Sequence, residues 1–197
     1  RFRFHVKRRK QIREHLGLNS KFVLGHIGRF KYQKNHNFLI DIFYEVYKKN
    51  KNAVLLLVGN GGGEMQIREK VNRLGLQNVV IFYGNSLDTS ELYHAMDVFC
   101  LPSYYEGFPV VAVEAQVNGL PVFVSDEVTP EAKILDDYEM ISLKVDSKVW
   151  AEKVLQVWKD PQKRSTEYLV MDKAGFSIER EALRLQHFYQ KWGRQEY

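Results

Sequence analysis
The chain has 197 residues, 45% of them hydrophobic and 27% charged; this excludes a disordered tail and a membrane bundle and leaves room for one or two domains with a real core. Its single cysteine, Cys100, excludes an intrachain disulfide framework and suits a reducing compartment. The net charge of +5 divides unevenly: residues 1–40 carry eleven Lys/Arg and one acid, Glu14, whereas the other 157 residues carry 18 basic and 23 acidic side chains. A basic front end therefore precedes a slightly acidic body, which calls for an anionic partner near the front: a phosphate, a membrane surface or a nucleic acid. No apolar run approaches the ~20 residues of a membrane span, no Asn-x-Ser/Thr acceptor occurs, and no signal peptide is expected. The chain begins at Arg1, and we expect a piece of a longer protein.

In chain order, residues 3–16 read as a basic helix ending near Gly17, and 21–27 as a short apolar strand. Residues 36–49 are helical, with Phe38, Leu39, Ile42, Phe43, Val46 and Tyr47 on one face. Residues 53–58 form a continuous apolar run, the habit of a strand buried on both faces. A helix over 65–74 is closed by Gly75. A strand over 79–83 precedes a short helix over 90–96 with Ser90 as its expected cap. A strand over 98–101 leads to a helix over 109–118 that has Pro109 in its first turn and Gly119 beyond its end. Strands follow at 121–124 and, weakly, at 140–143, with Asp136-Asp137 as a turn. Amphipathic helices span 147–159 and 178–192.

This alternation predicts an α/β, Rossmann-like doubly wound parallel sheet of about six strands with helices on both faces. Three regions are expected: a basic helix or linker over 1–19, a Rossmann-like domain over 20–160, and C-terminal helices over 161–197 packing on it. In such folds ligands sit at the carboxyl ends of the strands. After the first strand comes Gly28-Arg29-Phe30-Lys31-Tyr32-Gln33-Lys34, a Gly-led loop with three cations. A guanidinium fork and a lysine point charge suit a diphosphate, and a solvated basic loop is the plain alternative. Gly59-Asn60-Gly61-Gly62-Gly63 lacks the spacing of a dinucleotide fingerprint or a Walker loop and reads as a turn that lets a ligand approach the backbone. Pro102 to Ala115 runs from a Gly-containing loop into a helix whose first-turn amides suit an anion. Glu114 lies inside that apolar helix and needs partners: a ribose diol, or alternatively a Lys, Arg or backbone group in the core.

Several of these stretches resemble one family. Glu106 and Glu114, in Glu-Gly-Phe-Pro-Val-Val-Ala-Val-Glu, look like the E-x7-E motif of retaining GT-B glycosyltransferases of family four, also called glycosyl transferases group 1. Gly28-Arg29-x4-Lys34 resembles that family's diphosphate motif. Residues 95–103, Ala-Met-Asp-Val-Phe-Cys-Leu-Pro-Ser, and 118–122, Asn-Gly-Leu-Pro-Val, resemble two more of its motifs in the same order. The resemblance covers roughly residues 20–160, is to the C-terminal, donor-binding domain, and is nearest to enzymes of capsular polysaccharide and exopolysaccharide biosynthesis. It implies that Gly28, Arg29 and Lys34 hold the donor diphosphate and that Glu114 binds the ribose hydroxyls. Glu106 and the backbone of Gly107, Phe108, Pro109 and Val110 would face the donor sugar and phosphate, and Tyr83, Gly84 and Asn85 would border the base. Arg29, Lys34 and Glu106 are the implied catalytic set, with Glu106 positioning the sugar rather than attacking it. The family's Gly-Gly-x-x-Glu stretch reads Ser125-Asp126-Glu127-Val128-Thr129-Pro130-Glu131 here, so Glu131 receives no role.

The function expected from this resemblance is retaining hexosyl transfer from a nucleoside-diphosphate sugar, UDP-linked as the first expectation, to a polysaccharide or lipid-linked acceptor held by an N-terminal domain outside this sequence. This chain alone is expected to be inactive. The rival readings are a GT-B-like sugar-nucleotide epimerase and a non-catalytic nucleotide-sugar-binding module. No Asp-x-Asp motif and no helical His pair occurs, so neither a metal nor another cofactor is expected. The expected setting is the cytoplasm, with peripheral contact at the inner face of the cell membrane as an option for the basic helix, whose alternative is a solvated interdomain segment. Trp150, Trp158 and Trp192 are expected at core positions and not as a stacking platform, which argues against nucleic acid. His26 and His36 are expected to be structural, and Cys100 a small core residue.

Overall fold
A computed structural model describes residues 1–159, 164, 175 and 178–192. Six strands form one parallel sheet in the order β3-β2-β1-β4-β5-β6, with β1 Phe22–Ile27, β2 Ala53–Val58, β3 Val80–Gly84, β4 Val98–Leu101, β5 Val122–Ser125 and β6 Tyr138–Ile141. The helices are α1 Val6–His15, α2 His36–Lys49, α3 Glu64–Arg73, α4 Ser90–Ala95, α5 Val110–Val117, α6 Ser147–Lys159 and α7 Ile178–Trp192. Residues 1–166 make one compact unit and 167–197 a second. Within the second, α7 is the described element. The rest of the stretch expected to pack as C-terminal helices, apart from residues 164 and 175, lies outside the described residues.

The continuous apolar runs explain the sheet. Every residue of β1 and β2 is buried, as expected where helices cover both faces. One core cluster joins Leu24, Leu55 and Leu57 to α2, α3 and α6 through Leu39, Phe43, Val71 and Trp150. The other joins Val23, Val54 and Leu56 to α4 and α5 through Tyr93, Met96, Ala112 and Ala115. Alternate residues of a strand thus serve opposite layers. This is the Rossmann-like architecture the sequence predicts.

Three local expectations need correction. The last strand begins at Tyr138 rather than Met140, because the buried Tyr138 pairs with Val122 in register. Ser90 does not cap α4: it is buried as the first helical residue, Thr89 stands at the cap position without a side-chain bond, and Asp88 Oδ1 accepts from the Ser90 amide at 2.9 Å. Of the three tryptophans only Trp150 is core; Trp158 is 42% exposed and Trp192, on α7, 63%.

The chain runs outward from β1 through β2 to β3, then returns to place β4 on the other side of β1. The topological switch point therefore lies between β1 and β4. Its carboxyl edge carries the loop from Gly28 to Asn35 and the loop from Pro102 to Pro109.

Candidate functional site
Those two loops are stitched together. Lys34 Nζ donates to Glu106 Oε1 at 2.7 Å, and Gln33 Nε2 donates to Tyr105 O at 3.0 Å and to Glu106 Oε2 at 3.3 Å. The Tyr104 amide donates to Gln33 O at 2.9 Å, and the rings of Tyr32 and Tyr104 stack with centroids 4.7 Å apart. The Lys34 and Glu106 side chains are 16% and 7% exposed, so this ion pair is far better shielded from water than a surface pair. Arg29, on the same loop, is exposed and makes no hydrogen bond or ion pair through its side chain among the described residues. One cation is thus held against a carboxylate beside another that is open to solvent.

The local chain explains the placement. Asn35 adopts a left-handed conformation, φ 50°, and its Oδ1 accepts from the Phe38 amide, so it caps α2, which starts at His36, two residues after Lys34. The Gly-rich loop supports the cation loop from beneath. Gly59 and Gly61 have φ of 136° and 155°, and a Cβ on them would lie 2.2 Å from Gly28 O and 2.7 Å from Phe30 O respectively. The sequence suggested that these glycines admit a ligand; what they admit is the protein's own Gly28–Phe30 backbone. The Gly59 amide donates to Gly84 O at 2.8 Å, so the end of β3, with Tyr83, Gly84 and Asn85, is tied into the same edge.

Two buried imidazoles form the floor. His26 and His36 meet edge to face at 4.6 Å, and His36 stacks on Phe30 at 4.3 Å. Burial, then the nearby Lys34 charge, pushes the His36 imidazole down to about 4. Burial and then His36 push His26 the same way. Both are therefore neutral at physiological pH, and they add no charge to the loop above them.

The loop from Pro102 leads into α5, where two expectations change. The first-turn amides are not all open: Val110 donates to Phe108 O at 2.9 Å and Ala112 to Pro109 O at 2.9 Å. Pro109 precedes the helix rather than opening it. Glu114 is half-buried, and its partner is neither Lys, Arg nor backbone but the Tyr93 hydroxyl, which donates to Oε2 at 2.7 Å. Burial pushes the Glu114 carboxyl above the ordinary range, and the Tyr93 bond opposes that shift. Sequence reading missed both Tyr93 and Gln116. Gln116 is fully buried; its Nε2 donates to Ala112 O and Ala132 O, and its Oε1 accepts from the Ile134 and Leu135 amides. That saturated amide fixes α5 against the 130–135 segment and so fixes Glu114. Nothing in the sequence distinguishes Gln116 from a surface glutamine except its place in an apolar helix.

The structure therefore brings Gly28, Arg29, Lys34, Glu106 and Gly107 to the switch-point crevice, with Tyr83, Gly84 and Asn85 along the same edge and Glu114 on the helix that leaves it. Residues 8–168 match the sequence profile of the family described as Glycosyl transferases group 1. The chain belongs to that family. It is 36% identical over 136 residues to a putative glycosyltransferase, EpsF, of Bacillus subtilis, an alignment that spans 68% of this chain and 35% of that protein. It is 33% identical over 155 residues to the capsular polysaccharide biosynthesis glycosyltransferase CapM of Staphylococcus aureus, spanning 77% of this chain and 40% of that one. The fold matches Anabaena HepE, solved in complex with UDP, with TM-score 0.81 at 23% identity, over 96% of this chain and 54% of that one. It also matches the C-terminal domain of a group 1 glycosyl transferase from Francisella tularensis, with TM-score 0.75 at 22% identity, over 87% of this chain and 94% of that one. The glycosyl transferases group 1 family is enzymatic, and this chain carries its Rossmann-like, C-terminal GT-B half. It spans 35–40% of the length of these two curated relatives.

Proposed function
We propose that this chain is the donor-binding half of a retaining glycosyltransferase that moves a hexose from a UDP-sugar to a polysaccharide or lipid-linked acceptor. The observation that carries the reading is the Lys34–Glu106 pair at the β1/β4 switch point, with Arg29 open beside it. A glycosyl donor leaves negative charge on its diphosphate as the sugar departs, and cations already fixed there lower the barrier without reorganising. Arg29 supplies a fork for two phosphate oxygens and Lys34 a point charge. Glu106, already oriented by Lys34 and Gln33, holds the sugar in place, with the backbone from Gly107 to Val110 alongside. Glu114, held by Tyr93, takes the ribose hydroxyls, and Tyr83, Gly84 and Asn85 border the base. Solved HepE complexes with UDP and with UDP-glucose support the choice of nucleotide, and the names EpsF and CapM support a polysaccharide acceptor. Protein cations take the leaving-group charge in this scheme, so we propose no metal or other cofactor. A buried, inert thiol at Cys100 suits a reducing cytoplasm.

The test is calorimetry of this chain with UDP-, GDP- and ADP-sugars, followed by turnover of the full-length protein with acceptor and the product's anomeric configuration by NMR. The reading predicts preference for the UDP donor, transfer with retention by the full-length protein, and binding without transfer by this chain. Binding without transfer in the full-length protein would leave a nucleotide-sugar-binding module, and transfer by this chain alone would contradict the reading.

A further inference from the structure
The sheet's amino edge, opposite the donor loops, holds a cavity of about 390 Å³ bordered by Arg9, Arg13, Asp97, Trp158 and Arg164, with Phe4, Phe22, Pro121 and Val157 as apolar lining. Asp97 Oδ1 accepts from Arg9 Nη2 at 2.5 Å, and Oδ2 accepts from Arg13 Nη1 at 3.1 Å and from the Val23 amide at 2.8 Å. The remaining bonds of the two arginines go to neutral oxygens: Arg9 to His94 O and Met96 O, Arg13 to Ala95 O and Lys21 O. Carbonyls satisfy donors but cancel no unit charge. One carboxylate therefore faces three guanidiniums.

Arg164 is the group left incomplete. Its Nη1 donates to Asn118 Oδ1 at 2.9 Å and more distantly to Tyr93 O at 3.4 Å, and its guanidinium lies over the Phe4 ring. Its Nη2 is buried and has no hydrogen-bond partner among the described residues. Buried polar atoms in native proteins are almost always paired, so an orphan guanidinium nitrogen beside a cavity points to a partner that binds there. Burial, and then the charges of Arg9 and Arg13, push Arg164 down to about 9, with Asp97 opposing. A charge held at such cost is the mark of a site whose counter-charge arrives with a ligand.

We propose that this cavity is an anion site for a phosphate group, distinct from the donor site, with Arg164 as the donor that the ligand completes. The three guanidiniums exceed Asp97 by two positive charges and Lys21 also lines the cavity, a surplus that suits a dianion: a phosphate monoester carries about −1.5 to −2 at pH 7, whereas a carboxylate would cancel only one. The Arg164 Nη2 is the free donor for a phosphate oxygen, while Arg9 and Arg13, whose guanidinium nitrogens already serve Asp97 and carbonyls, contribute charge. The aromatic rim, Phe4 and the part-exposed Trp158, gives the group that bears the phosphate a surface to rest on. The phosphate can come from a soluble ester or from a lipid headgroup, and the two sources give different results below.

The experiment starts from an Arg29→Ala/Lys34→Ala chain, which removes the donor-site cations. Titration with inorganic phosphate should raise its Tm by a few degrees, as a ligand of the folded state does, and should change the Trp158 fluorescence, assigned by loss of the signal in Trp158→Phe. Both responses should vanish in Arg164→Gln, whose melting curve without phosphate reports whether it folds. Should Arg164→Gln fail to fold, the same titration on Arg164→Lys, which keeps the charge and loses the fork, should show weakened binding. A second arm measures co-sedimentation with phosphatidylcholine vesicles with and without phosphatidic acid. Phosphate response with no vesicle preference supports the site with a soluble ligand. Preference for phosphatidic acid that depends on Arg164 supports the site with a headgroup ligand. No response in either arm, or a response that Arg164→Gln and Arg164→Lys leave intact, overturns the proposal.

Discussion

At the amino end of β1, Arg9 and Arg13 reach inward from α1 and are held by Asp97 and by the last carbonyls of α4; at its carboxyl end, Lys34 is held by one carboxylate and Arg29 by nothing described. Both groups belong to the same basic front end of the sequence. The difference separates cations whose donors are tied into the fold from a cation left open at the donor edge. Arg13 is buried, its side chain only 7% exposed, and together with Arg9 it ties α1 to the β1/β4 edge. The membrane-facing option for the front helix loses its strongest residues to this anchorage, and Arg8 is likewise turned to Glu91 at 3.1 Å. Among the described residues, no helix is long and apolar enough to cross a membrane.

The comparison is broken most forcefully at Asp97. Removing one partner of a buried pair leaves an uncompensated charge, so Asp97→Ala should destabilise the chain by about 3–5 kcal/mol. Urea denaturation reads this, and UDP affinity of the fraction still folded should stay near the parent value. A fall in affinity as large as the fall in stability would mean that the two ends of β1 do not work separately.

Acid is the next largest lever. His36 takes its proton only near pH 4 when folded, whereas the unfolded chain does so near the ordinary imidazole value of about 6.5. Between those values the unfolded state binds more protons, so stability falls as the pH drops from 6.5 towards 4. For His36 alone the loss is about 3 kcal/mol, and His26 adds in the same direction. Urea midpoints across this window check it: His36→Gln should give a shallower pH dependence than the parent.

Smaller effects sharpen the donor end. Glu114→Gln keeps the shape and loses the charge, and UDP binding should weaken by about 1–3 kcal/mol with folding largely kept. Tyr93→Phe removes the hydroxyl that orients Glu114 and should cost about 1 kcal/mol of the same binding. A 2′-deoxy ligand separates the roles: in both variants the preference for the ribose form should shrink. A large loss of Tm with normal affinity would instead make the pair structural.

Much of this was legible in the sequence. The runs at 53–58 and 98–101 and the helices over 36–49, 147–159 and 178–192 have the same bounds in the structure, because burial on both faces and helical periodicity are local signals. The loops at Gly28–Lys34 and Glu106–Val110 were singled out because ligands sit where strands end, and the structure puts both at the carboxyl edge of the sheet. What the sequence hid depends on distance along the chain. Asp97 was visible as part of a motif, but its partners Arg9 and Arg13 lie 88 and 84 residues away. The hydroxyl that holds Glu114 comes from 21 residues upstream, and Tyr93 reads locally as an apolar core residue. The glycines at 59 and 61 announced a close approach, but only the fold shows that Gly28 and Phe30 are what approach.

The most direct measurement compares UDP with uridine, by calorimetry, on the parent chain and on Arg29→Ala and Lys34→Ala. A charge-assisted hydrogen bond to phosphate is worth about 1.5–3 kcal/mol. The account predicts that each variant loses about that much affinity for UDP and little for uridine, with Tm close to the parent's. Equal losses for the two ligands, or an unchanged preference for UDP over uridine, would contradict the assignment of the carboxyl edge of β1 to the donor diphosphate.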